Sequence, residues 1–122
     1  MLWLLVGLGG AGGAMARFGV GRLAGVRPAG AFPWSTFAIN VAGSLLLGLV
    51  MAVTHDTAAG WRARAVLVIG FCGGFTTFSS FGYETLGLLE ARAYVAAAAY
   101  VLGSVAAGLA AVAVGLRMAE RI

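Results

Sequence analysis

Lysine is absent from the 122 residues and charge of any kind is scarce: eight arginines and four carboxylates make up 10% of the chain, against about 25% in a typical soluble domain. With 61% hydrophobic residues, a water-soluble fold is excluded. One cysteine, Cys72, and one histidine, His55, rule out an intrachain disulfide and a multi-cysteine metal site, and leave little material for zinc chemistry or a nucleophilic triad. The chain is therefore not expected to be an enzyme. The arginines are scattered singly or in pairs rather than gathered into a patch, which excludes a nucleic-acid groove. No basic residue precedes Arg17, whereas a signal peptide carries its positive charge before the apolar stretch, so the first apolar segment is expected to stay in the protein despite Ala14-Met15-Ala16.

What remains is apolar length. A hydrocarbon core of about 30 Å takes about 20 apolar residues per helix, so four spans and their short loops account for the whole chain. The expectation is a single all-α transmembrane domain with spans at about 2–23, 33–53, 63–89 and 94–116. Span one is dense in glycine, which lets helix backbones approach closely. Pro33-Trp34-Ser35 reads as a helix start with an interfacial aromatic anchor. The stretch from Thr54 to Arg62 reads as a loop, and span three is expected to begin near Ala63.

Inside span three, Gly73-Gly74-Phe75-Thr76-Thr77-Phe78-Ser79-Ser80-Phe81 gathers glycine, threonine and serine about 12 residues into the apolar run, a composition poor for continuous helix. A helix break is expected there. Irregular backbone at membrane depth survives only where protein or a water-filled cavity satisfies it, so the break reads either as an ion site or as a packing kink closed by hydroxyls. Phe75, Phe78 and Phe81 fall on one side if helix resumes at Phe78: a lipid-facing stripe, or ring edges lining an anion path. Asn40 in span two must face the bundle, as glue between helices or as a donor into a pore, with Ser44 one turn along. Arg17 either snorkels or holds a positive potential at a pore mouth. Glu84 reads as an interfacial residue or an arginine partner, and Tyr100 and Ser104 lie one turn apart on span four, where the buried hydroxyl of Tyr100 needs a partner.

The arginines flanking the spans divide evenly. Arg17, Arg22, Arg27 and Arg92 lie on one side, and Arg62, Arg64, Arg117 and Arg121 on the side shared with the termini. A chain without this bias is free to insert both ways, and two opposed copies form the inverted pair that many transporters encode as internal repeats. An antiparallel dual-topology homodimer is expected.

The segments Gly13-Ala14-Met15-Ala16-Arg17-Phe18, Asn40-Val41-Ala42-Gly43 and Gly70 to Phe81 together resemble the Fluc (CrcB) fluoride channel family, over nearly the whole chain. The resemblance implies a passive fluoride-selective channel in the bacterial or archaeal inner membrane, with fluoride, a second copy and lipid as partners and a structural sodium ion at the dimer centre. It implies Phe78 and Phe81 as the paired phenylalanines of the fluoride path, Asn40 as the pore asparagine, Arg17 as the vestibule arginine and Tyr100 as the tyrosine beside the phenylalanines. Ser79, Ser80 and Ser104 add hydroxyls to that path, and the backbone carbonyls of Gly73 and Thr76 are the implied sodium ligands. Ser80 stands where many members have threonine, and Gly108 where members often offer a further hydroxyl. The competing reading is a small multidrug-type proton-coupled exporter, which needs a membrane-embedded carboxylate that span one lacks.

Overall fold

The structure, a computed structural model, describes residues 1–121. The chain crosses four times. Helix α1 is Leu2–Ala24 and α2 is Trp34–Val53. The third crossing is composite: α3 (Ala58–Arg64), a π-helical stretch Ala65–Cys72, a single turn α4 (Gly73–Phe75), two extended residues, and α5 (Phe78–Glu90). Helix α6 (Tyr94–Ala119) returns. All four crossings are long and apolar enough to span a bilayer.

Helix α2 begins beside Pro33 and ends at Val53, the bounds its composition predicts. The third crossing starts at Ala58, five residues earlier than expected, because Thr57 caps it: its Oγ1 accepts from the Gly60 N–H at 3.1 Å. Trp61 and Arg62 therefore sit on a helix rather than in a loop, and Arg64 follows them on it. The Arg64 guanidinium holds Asp56 at 2.8 Å, donates from Nε to Thr54 Oγ1 at 2.8 Å, and lies over the Trp61 ring. Helix α6 runs three residues past the expected Leu116.

Glycine sets the closest contacts. Gly9 and Gly13 on α1 face Gly70 and Gly74 on the third crossing, two four-residue glycine repeats that meet backbone to backbone, as small residues allow in membranes. A Cβ on Gly13 would collide with the Phe71 carbonyl, whereas one on Gly19 would meet open space. Gly13→Ala should therefore split α1 from the bundle and cost about 1–3 kcal/mol or more, while Gly19→Ala should be neutral or stabilising. Thermal unfolding of the two variants in detergent checks this, and equal midpoints would refute the packing.

On the other side, α2 packs along α6. The buried centre here is Leu88, Ala97 and Tyr100, with Phe32, Phe37 and Phe81 against it. Together these contacts fix α2, α5 and α6 around the break in the third crossing.

Candidate functional site

Thr36, Asn40 and Ser44 recur once per turn on α2 and form a polar line facing the broken crossing. Each has a defined partner. Thr36 Oγ1 donates to Glu84 Oε1 at 2.7 Å, and Ser44 Oγ donates to the Asn40 carbonyl at 2.7 Å. Asn40 grips one residue twice: Oδ1 accepts from the Thr77 N–H at 2.8 Å, and Nδ2 donates to the Thr77 carbonyl at 3.2 Å. An amide side chain thus supplies both main-chain bonds that helix would have given Thr77. One Nδ2 hydrogen is left over.

The break is where composition places it. Thr76 (φ −77°, ψ 156°) and Thr77 (φ −149°, ψ 118°) are extended, and helix resumes at Phe78. The Thr77 hydroxyl accepts from the Ser80 N–H at 3.1 Å, capping α5, and lies 3.2 Å from the hydroxyls of both Ser79 and Ser80. The Thr76 hydroxyl turns the other way and donates to the Cys72 carbonyl at 2.7 Å. So the break is closed by hydroxyls and flanked by cavities.

Two cavities flank it and share Thr77. One, of about 440 Å³, is lined by Asn40, Ser44, Gly73, Thr76, Phe78, Phe81 and Ser104 among others. The other, of about 480 Å³, is lined by Arg17, Thr36, Ser80 and Glu84. Of the residues singled out from sequence, Asn40, Phe78, Phe81, Ser104, Gly73 and Thr76 share the first cavity, and Arg17 and Ser80 share the second. Tyr100 lines neither. It is fully buried, with its ring 5.1 Å from Phe81 and its hydroxyl donating to Glu84 Oε2 at 3.0 Å. Ser79 is exposed beside the break and touches the site only through Thr77.

The phenylalanine stripe divides at the break. Phe78 and Phe81 pair with centroids 5.7 Å apart, while Phe75, cut off by the extended residues, stacks on Phe71 at 5.5 Å. Phe78 is 84% exposed on the single chain. The Ser104 hydroxyl is the buried side-chain oxygen without a hydrogen-bond partner among the described residues.

Glu84 is not an arginine partner. Both carboxylate oxygens are held by hydroxyls, those of Thr36 and Tyr100, and the one ion pair among the described residues is Arg64–Asp56, in the loop at the other end of α2. Thr36, Thr77 and Glu84 are thus part of the site although sequence reasoning gives none of them a role there. The one-per-turn spacing of Thr36, Asn40 and Ser44 is the available signal for the first.

Residues 4–116 match the family model described as CrcB-like protein, Camphor Resistance (CrcB). The chain belongs to the CrcB family. Every residue lining the two cavities lies within the matched segment. Among curated CrcB relatives, a fluoride-specific ion channel FluC of Thermus thermophilus is 43% identical over 116 residues, 95% of this chain and 93% of that protein. Fluoride-specific ion channel FluC 2 of Rhodococcus jostii is 46% identical over 118 residues, covering 97% of this chain and 98% of its own length. FluC 1 of Streptomyces avermitilis is 43% identical over 122 residues, 100% of this chain and 98% of that protein.

Proposed function

We propose that this chain is a passive, fluoride-selective channel of the bacterial inner membrane, acting as an antiparallel homodimer. The reading rests on end-to-end identity of 43–46% with relatives named as fluoride-specific ion channels. The two cavities meeting at Thr77 give it physical sense. Fluoride is small and strongly hydrated, so passage calls for a succession of modest donors, each partly replacing water and none binding too tightly to release. Arg17 raises anion concentration at one mouth. The hydroxyls of Thr77 and Ser80 follow, then the spare Asn40 amide hydrogen, the ring edges of Phe78 and Phe81, and the unpartnered Ser104 hydroxyl. No arginine lies mid-span to trap the ion. Tyr100 buttresses this line, orienting Glu84 and the Phe81 ring.

Nothing favours the proton-coupled exporter: α1 carries no carboxylate, and Glu84 is committed to two hydroxyls. Efflux of fluoride from liposomes containing only this protein, with chloride as control, tests the channel reading. Equal rates for the two anions, or no flux, would overturn it.

A structural sodium ion belongs to the same reading, and the break suits one. In continuous helix the Gly73 carbonyl would accept from Thr77 and the Thr76 carbonyl from Ser80; those N–H groups are bonded instead to Asn40 and to the Thr77 hydroxyl. Both carbonyls are left with free lone pairs at the negative end of a half-helix. Gly73 lies on an open face, with nothing within 4 Å of where its Cβ would be, so the same atoms of a second copy can reach it. Sodium held there by the Gly73 and Thr76 carbonyls would supply fixed positive charge joining the two copies.

The even arginine split, four flanking each end of the spans, supports dual topology. Reporters fused to the C-terminus should read both compartments, and lysines added after the last residue should drive the tail to the cytoplasm. A single orientation in the unmodified protein would exclude the antiparallel dimer.

A further inference from the structure

Two carbonyls are freed at the break, and two different side chains free them. Oδ1 of Asn40, on another helix, takes the Thr77 N–H at 2.8 Å, and the Thr77 hydroxyl takes the Ser80 N–H at 3.1 Å. The nearest helical alternative for each N–H is the carbonyl it has left, Gly73 for Thr77 and Thr76 for Ser80. Without Asn40, winding the chain back would consume the Gly73 lone pair and draw Thr77 out of its extended conformation. The second Asn40 bond, from Nδ2 to the Thr77 carbonyl at 3.2 Å, holds the same residue from its other end. Asn40 also lines the cavity that contains Phe78, Phe81 and Ser104.

We infer that Asn40, with the Thr77 hydroxyl, is a positioning residue for the cation site: it holds the break open so that the Gly73 carbonyl stays available, and it couples the anion cavity to cation occupancy through one residue's backbone. This rests on the reading of Gly73 and Thr76 as sodium ligands. It separates two roles of one side chain, since the acceptor Oδ1 serves the cation site and the spare Nδ2 hydrogen serves the anion. Substitutions that keep the acceptor while removing the donor therefore divide the two functions.

The test is a sodium titration of the purified protein in detergent, with N-methyl-D-glucamine as replacement cation, reading dimer fraction and thermal midpoint, alongside fluoride flux in liposomes. Asn40→Ala should raise the sodium concentration for half-maximal stabilisation about tenfold, the loss expected from one well-placed hydrogen bond. Asn40→Asp keeps an acceptor for the Thr77 N–H but loses the bond to the Thr77 carbonyl, so it should shift the titration less than Asn40→Ala does, yet conduct poorly because a carboxylate repels the anion. Thr77→Ala should shift the titration like Asn40→Ala, with Thr77→Ser restoring it; this pair decides the matter if Asn40→Ala yields no dimer. If Asn40→Ala and Thr77→Ala lose flux but titrate sodium as wild type does, the coupling is wrong and Asn40 is an anion contact only. A wild-type dimer indifferent to sodium would instead overturn the cation reading itself, and this inference with it.

Discussion

Phe81→Ile and Phe78→Ile should each lower fluoride efflux by about tenfold or more while the protein still assembles. Isoleucine retains apolar bulk but has no polarised ring edge to face the anion. Phe78 is largely exposed on the single chain, so its loss removes little packing. Phe81 touches Tyr100 with centroids at 5.1 Å, and isoleucine there leaves a gap that costs stability modestly. Phe75→Ile serves as the control, because that ring stacks on Phe71 on the near side of the break and lines neither cavity. Efflux from liposomes measures all three; wild-type rates at both Phe78 and Phe81 would return the pair to ordinary packing.

Glu84→Leu should damage stability more than any other single polar change in the site. It strands the hydroxyls of Thr36, 7% exposed, and Tyr100, fully buried. Each unmade buried hydrogen bond costs about 1–3 kcal/mol. The thermal midpoint in detergent should fall accordingly, and adding Tyr100→Phe should recover part of the loss, since one stranded hydroxyl is then gone. Additive losses in the double variant would mean that Glu84 and Tyr100 do not depend on each other.

The crossings, the bounds of α2 and the position of the break are legible in the sequence because each has a local chemical cause: apolar length, Pro33 and a run of glycine and hydroxyl residues. The start of the third crossing is not, because Trp61 and Arg62 read as interfacial loop residues, while the Thr57 cap starts the helix before them. Glu84 misleads for a related reason. Its place near a span end suggests an ionic partner, but Thr36 lies 48 positions away and Tyr100 16, and only the fold brings their hydroxyls to it. The amide of Asn40 points to the bundle from sequence alone, yet its grip on a single residue is invisible without the backbone of Thr77.

The π-helical stretch Ala65–Cys72 looks featureless in sequence, with one glycine among apolar residues. Its i→i+5 winding takes more residues per turn than an α-helix does. That widening acts as a phase adjustment: it turns the residues after it relative to those before it, and so sets which way Gly74 looks when α1 arrives. The two halves of the third crossing are therefore indexed by residue count as well as by residue type. A relative that wound the same eight positions as plain α-helix would carry Gly74 out of register with α1 unless a residue were removed upstream, so length between Arg64 and Gly73 is under as strict a geometric constraint as any side chain in the cavities.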